Sequence, residues 1–246
     1  MSKRKHIEDE QRADQVAADL NETACLIDCL MAMGQRRRAN EVPMACFVHQ
    51  LHAFMPGAGL SKTRIEEDLA NMRKAFDVRV IHTPLGQAVM RSSVYLSDVE
   101  AAGNQCHDAI EKSALIKLCE WLKTSSHISV SAKSTELGGI MSDAEVTKLV
   151  NLGFLSSRRD VDAELFWVSH PKMKALVMSI LSTRKVLLNA ISRTRFKEIS
   201  ETELQKRKID SQLLSPKFYH LDLLGSGAVN RFTTSSGQTW FRVTGK

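Results

Sequence analysis

A mainly α chain with short β-hairpins, an α+β fold in which one arrangement is repeated, is what this sequence predicts from three observations. Aromatic residues are sparse at 6%, and 12 glycines and 5 prolines are few for 246 residues, which argues against an all-β chain. Apolar residues at helical spacing alternate with short stretches of strand-like pattern bounded by turn residues. Helices followed by a hairpin recur at a spacing of about 75 residues, the size of a small compact domain.

Residues 1–38 are polar apart from an apolar patch, Ala24 to Met33, and carry the clusters Lys3-Arg4-Lys5 and Arg36-Arg37-Arg38. They read as a flexible basic arm with room for a short helix, and such clusters can act as nuclear import signals. The first unit, 39–103, opens with a short apolar helix from Pro43 to Met55. Thr63 starts a second helix with Glu66 in the reciprocal capping position, and Ile65, Leu69, Met72 and Phe76 share one face. Val78 to Ile81 and Ala88 to Tyr95 read as strands joined by a Pro84-Leu85-Gly86 turn.

The second unit, 104–170, has a helix from Cys106 to Lys123 with Ile110, Leu115, Leu118, Cys119 and Leu122 facing inward. Ser142 and Glu145 repeat the capping box, and Gly153 closes that helix. A strand starting at Phe154-Leu155 and another at Leu165 to Val168 flank a polar loop, Arg158 to Ala163.

In the third unit, 171–246, Pro171 occupies the favoured first position of a helix. Its apolar stripe runs from Met173 to Ile191, interrupted by Arg184, so a break is expected near Ser182-Thr183. Ser200 and Glu203 cap a short helix ending in Lys206-Arg207-Lys208. Ser215-Pro216 starts a helix that stops at Gly225, and Ala228 to Thr234 and Gln238 to Val243 form a hairpin about Ser235-Ser236-Gly237. Helices followed by a two-stranded hairpin describe a winged helix, the helix-turn-helix variant whose hairpin is the wing. The expected architecture is three tandem winged-helix domains.

Charge separates the third unit from the rest. Residues 171–246 hold 14 Lys/Arg against 5 Asp/Glu, whereas the first 170 hold 20 against 23. An excess of that size suggests a surface for a polyanion. Five cysteines without a Cys-x-x-Cys pair point to reduced thiols in an intracellular compartment. Cys46, His49 and His52 have metal-like spacing but no fourth ligand nearby, so no metal and no cofactor are expected. No run approaches the ~18 uninterrupted apolar residues of a membrane span, and no apolar stretch follows the basic N-terminus to make a secretory signal.

The C-terminal half resembles the serine/threonine-protein kinase 19 family. The resemblance is carried by Val150-Asn151-Leu152-Gly153-Phe154-Leu155, by Leu187 to Glu198 with its Arg-x-Arg-Phe-Lys-Glu run, and by Tyr219-His220-Leu221-Asp222-Leu223-Leu224-Gly225. The most specific piece is Thr233-Thr234-Ser235-Ser236-Gly237-Gln238-Thr239. The first unit matches more loosely through Arg64 to Val80. The resemblance implies a nuclear DNA-binding protein of three winged helices that is no longer regarded as a kinase. It implies a role in transcription-coupled nucleotide excision repair, contacting a stalled RNA polymerase II complex and helping to place the helicase-bearing transcription factor on DNA. Family DNA-binding positions fall on Arg193, Arg195, Lys197 and Arg207. The family has basic residues where this chain has Met178, Ser182 and Ser192, and Lys172, Lys174 and Lys185 are available to compensate.

The residues speak against a kinase on their own. The chain has no His-Arg-Asp, no Asp-Phe-Gly and no strand lysine in that context, and Gly225-Ser226-Gly227 and Gly57-Ala58-Gly59 lack a third glycine. Neither a phosphate-binding loop nor a nucleophile elbow is present.

The candidate DNA contacts are Arg184, Lys185, Arg193, Arg195, Lys197, Lys206, Arg207, Lys208 and Lys217. Arg193, Arg195 and Lys197 are expected to alternate along a helix end and the strand after it. Lys217 falls in the first turn of the expected recognition helix, Pro216 to Leu224, which has no cluster of base-reading side chains. Binding should therefore be dominated by phosphates, weakly sequence-specific, and steeply salt-dependent. Double-stranded DNA is the expected partner, with single-stranded DNA left open. The first two units, together with the Arg158-Arg159-Asp160 loop as a further contact, would serve protein partners or dimerisation, in a monomer or homodimer. A protein–protein scaffold without a direct DNA role is the alternative.

Overall fold

A computed structural model describes residues 22–33, 42–54, 61–125, 129–131, 141–157, 165–207 and 213–244. They form a helix-rich α+β architecture with three small antiparallel sheets of three strands each.

Residues 22–33 form helix α1. Its Ile27, Leu30 and Met31 follow the i, i+3, i+4 pattern and are buried against Leu51, Ile65, Leu69 and Met72. This part of the expected flexible arm is therefore packed, because its apolar stripe has a core to meet. The two basic clusters of that arm lie outside the described residues.

The stretch expected as one helix from Pro43 splits into β1 (Cys46–Phe47) and α2 (Val48–Phe54). Cys46 and Phe47 pair with Val89 and Ala88, and the Gln50 side chain accepts the Phe47 N–H at 2.8 Å, which caps the new helix. Helix α3 (Lys62–Lys74) is capped by Ser61, not Thr63, because the Ser61 hydroxyl accepts the Arg64 N–H. Ile65, Leu69 and Met72 are buried as expected. Phe76 is not: the helix has ended, the residue takes a φ of 61°, and it is 38% exposed.

Strands β2 (Val78–Thr83) and β3 (Gly86–Arg91) form the first hairpin, with Gly86 at φ 105° as the turn requires. The returning strand stops at Arg91, short of Tyr95, and α4 (Ser92–Gln105) follows, a helix absent from the sequence reading. Tyr95, Val99 and Gly103, four apart, are its buried face. The expected domain boundary at 103–104 falls in its last turn.

Helix α5 (Ala109–Thr124) starts at an Asp108 cap, and its buried residues begin at Ala114, so Ile110 is exposed instead of facing inward. Strand β4 (Ser129–Ser131) precedes α6 (Asp143–Leu152), where the Ser142–Glu145 capping box and the left-handed Gly153 at φ 84° stand as expected. Strands β5 (Leu155–Ser157) and β6 (Leu165–Val168) complete the second sheet. The Arg158–Asp160 loop lies outside the described residues.

Helix α7 (Met173–Ser192) runs unbroken through Ser182-Thr183, with Pro171 in the turn before it. No break is needed because Arg184 finds a buried carboxylate, Asp222. By length and composition α7 would pass for a membrane span, but its face from Met173 to Ile191 is packed in the core. Strand β7 (Glu198–Ser200) leads to α8 (Glu201–Lys206), capped by Ser200 as expected. Helix α9 (Pro216–Gly225) and strands β8 (Val229–Thr233) and β9 (Thr239–Val243) close the chain.

The strand order within the sheets recurs and marks three repeats. Each sheet places its last strand between the other two: β1-β3-β2, β4-β6-β5 and β7-β9-β8. The two hydrophobic clusters do not divide along the repeats, since Leu221 of α9 packs with Ile27, Leu51 and Leu69. Between the first and second sheets, His82 stacks on Trp167 at 4.1 Å. The Tyr95 hydroxyl donates to the Ser169 carbonyl at 2.6 Å, and the buried Arg79 guanidinium donates to the Leu122 and Ser125 carbonyls at the end of α5.

Candidate nucleic-acid interface

The cations of the third repeat divide by whether a carboxylate holds them. Arg193, Arg195 and Lys197 are exposed and pair with no carboxylate among the described residues. They do not alternate on a strand, as the sequence suggested. Arg193 caps α7, and Thr194 to Lys197 form a turn closed by the Lys197 N–H donating to the Thr194 carbonyl at 3.1 Å. The Thr194 hydroxyl donates to the Ile191 carbonyl and accepts the Glu198 N–H, and β9 adds a bond from the Val243 N–H to the Lys197 carbonyl. Lys197 sits at φ 55°, a left-handed position unusual for a side-chain-bearing residue. The backbone beneath these cations is thus fixed on three sides, so little ordering cost remains for a ligand to meet.

Lys174 and Lys185 are exposed on α7 and, at 100° per residue, lie within about 20° of each other around the helix. They share their face with Met178 and Leu181, 57% and 42% exposed. Lys206 is exposed at the end of α8, and Arg207 pairs with Glu203 at 3.3 Å. Lys208 lies outside the described residues.

Of the other expected contacts, Arg184 is held by a carboxylate and Lys217 stands in the first turn of α9 as expected. Arg184 is already paired: its Nε and Nη2 donate to the two oxygens of Asp222 at 2.9 and 2.7 Å, in a bidentate pair that its geometry favours. Lys217 is exposed in the first turn of α9, with its ammonium 5.9 Å from the Phe54 ring of α2. It marks the edge of a packed seam, because α9 itself is closed off. Phe218, Tyr219, His220, Leu221, Asp222 and Leu223 are all buried.

What covers α9 is α2. Gln50 donates to the Phe218 carbonyl at 3.0 Å, and His49 donates from Nε2 to Asp222 at 2.8 Å. Gly225 lies so close that a Cβ there would sit 1.9 Å from the His49 carbonyl oxygen. The expected recognition helix is therefore covered by α2 and cannot enter a groove as it stands. On its other sides the Tyr219 hydroxyl bonds with Ser179 of α7 at 2.7 Å, and His220 meets Phe241 of β9. Burial holds the His220 imidazole far down, to about 4, and neither ring nitrogen has a hydrogen-bond partner among the described residues.

The contacts of His49 and Gln50 with α9 carry no local signal, since their partners lie 173 and 168 residues away. Asp222 offered one: a lone carboxylate in a leucine-rich helix needs a buried cation, and Arg184 on an apolar face was its counterpart. Of the metal-like trio, Cys46 faces the core with its thiol pushed up to about 12 by burial, while His49 turns to Asp222. In the third sheet, Arg242 pairs with Glu198 at 2.6 Å across the β7–β9 ladder.

A family model described as Inactive serine-threonine protein kinase 19 matches residues 31–242. Among curated relatives, Winged helix repair factor 1 of Xenopus laevis is 26% identical over 217 residues, covering 86% of this chain and 80% of the relative. The Mus musculus protein of the same name is 22% identical over 204 residues, covering 80% and 75%. The Homo sapiens protein is 29% identical over 96 residues, covering 39% and 37%.

Proposed function

Because the chain belongs to the family of inactive serine-threonine protein kinase 19 and is similar to proteins named as winged helix repair factors, we propose that it is a non-enzymatic nuclear DNA-binding repair protein. The three repeats are three tandem winged helices at 39–103, 104–170 and 171–246, and the third grips the phosphate backbone with little sequence preference. In the cell it acts as an adaptor in transcription-coupled nucleotide excision repair. There it meets the stalled RNA polymerase II complex and helps position the helicase-bearing transcription factor. The strand order common to the three sheets and the relatives' printed name support the fold. The family's inactive standing means that the protein is no kinase.

One observation carries the DNA reading: Arg193, Arg195 and Lys197 stand exposed on a hydrogen-bonded turn without carboxylate partners among the described residues. Each cation that neutralises a phosphate releases counterions and steepens the salt dependence by about 0.9 in log–log slope. The three turn cations with Lys174 and Lys185 should give a slope near −4 to −5 for full engagement. Recognition by α9 in the major groove is not part of this reading, since α2 covers that helix.

The test is fluorescence anisotropy of the full chain with a labelled duplex across a salt series. Arg193→Glu with Arg195→Glu should cut affinity at least tenfold and flatten the slope by about 2. Unchanged binding would overturn the assignment of the site. The second reading, a protein scaffold with no direct DNA role, draws on the exposed Met178 and Leu181 of α7 and on Ile116 of α5. Absence of any DNA affinity at low salt would favour it.

A further inference from the structure

Phe196 is 69% exposed, the most exposed large hydrophobic side chain among the described residues. It occupies the third position of the Thr194–Lys197 turn, where side chains project from the body of the repeat. Its neighbours in sequence are cations, and the Arg195 guanidinium lies over the ring at 5.1 Å from its centroid. The ring remains largely open to solvent even so.

A phenylalanine left in water on a mobile loop would mean little. This one is on a turn held by five hydrogen bonds: Thr194 N–H and Thr194 hydroxyl to the Ile191 carbonyl, Lys197 N–H to the Thr194 carbonyl, Glu198 N–H to the Thr194 hydroxyl, and Val243 N–H to the Lys197 carbonyl. The tip therefore presents an aromatic face at a fixed place among Arg193, Arg195 and Lys197. Those charges select the occupant. A hydrophobic protein patch would have to desolvate three cations, whereas a nucleic acid brings phosphates to them and a flat base to the ring.

We propose that Phe196 is a stacking platform for an unpaired base, so that this turn binds DNA whose bases are open in preference to intact duplex. The proposal rests on the DNA-binding reading above and deepens it: the cations hold the backbone, and the ring holds a base that has left the helix stack. A base still paired in a duplex cannot offer its face, so Phe196 contributes nothing to duplex affinity unless it wedges between steps.

The experiment compares two labelled probes of equal length with the full chain, one a complete duplex and one carrying a central bubble of unpaired thymines. Wild type should bind the bubble more tightly. Phe196→Ala should weaken bubble binding about 5- to 100-fold, the range expected for loss of one stacked base, and leave duplex binding within twofold. Phe196→Trp should retain the preference. Phe196→Ala that leaves both affinities unchanged overturns the proposal and is the outcome expected if the ring serves a protein partner; equal loss on both probes overturns it too. The thermal midpoint of each variant guards against a collapsed turn, and the exposed position of Phe196 predicts no shift. If Arg193→Glu with Arg195→Glu abolishes binding while Phe196→Ala does nothing, the inference falls and the DNA reading stands. If wild type binds neither probe at low salt, the DNA reading itself fails.

Discussion

Replacing Asp222 with alanine removes a carboxylate that is 1% exposed and on which three hydrogen bonds converge, from Arg184 Nε at 2.9 Å, Arg184 Nη2 at 2.7 Å and His49 Nε2 at 2.8 Å. Removing one member of a buried pair leaves the other charge stranded, at a cost of about 3–5 kcal/mol. Arg184 is 20% exposed, so water can reach part of the guanidinium, which places the loss near the lower end, about 3 kcal/mol. For a chain of this length that corresponds to a fall of roughly 6–12 °C in thermal midpoint. Urea unfolding of Asp222→Ala, Arg184→Met and the double variant closes a cycle, and the coupling should be about 2 kcal/mol. Arg184→Met should also leave the salt slope of DNA binding unchanged, because Arg184 is committed to Asp222. A coupling under about 0.5 kcal/mol, or a slope that flattens by a full unit in Arg184→Met, would refute the reasoning and return Arg184 to the candidate DNA contacts.

Gly225→Ala should part α2 from α9, since the clashing atoms are the His49 carbonyl oxygen and carbon, 1.9 and 2.4 Å from the new Cβ, and both are backbone. A loss of about 3 kcal/mol in urea unfolding is expected, and a change within 0.5 kcal/mol would show that the helices separate freely. His220, held down to about 4 by burial, makes stability pH-dependent: the unfolded chain takes up a proton near 6.5 that the folded chain refuses. Its contribution is complete above about pH 6.5 and is lost as pH falls toward 4, by up to roughly 3 kcal/mol, so His220→Leu should flatten urea midpoints across that window. Glu145 has the same sign in a lower range. Burial would raise its carboxyl, but the Lys117 ammonium, the Ser142 N–H and the Ser113 hydroxyl outweigh it and bring it to about 2. Glu145→Ala should cost about 1–2 kcal/mol at neutral pH and abolish the acid sensitivity between pH 4.5 and 2 that this group supplies.

The features legible in the sequence were those whose cause is local. Ser142 with Glu145, Ser200 before Glu203, and Gly153 at a helix end act over three or four residues, and each stands where expected. The strands β1 and β4 were not legible, because two or three residues become a strand only through a partner far along the chain, as Cys46 does with Val89, while the strand expected after α7 begins only at Glu198, past the cations placed on it. Helix α4 escaped notice because Ser92-Ser93-Val94-Tyr95 has strand-like composition and continues a hairpin. The candidate cations were legible as a charge excess, but their sorting was not. Whether an arginine stays unpaired at the surface or meets a buried aspartate depends on tertiary neighbours, and Arg184 and Arg193 look alike until Asp222 is placed beside one of them.

The seam between α2 and α9 also sets a schedule for synthesis. His49 and Asp222 lie 173 residues apart in the chain, and Gln50 and Phe218 168. At ~5–20 residues per second, α2 emerges from the ribosome roughly 10–35 s before its partner helix exists. Throughout that interval Leu51 and its neighbours lack the Leu221 that completes their core, so the nascent first repeat needs a temporary cover. A stop codon anywhere before α9 would leave that gap permanent, and early truncations should be cleared by quality control even when the first two repeats are intact.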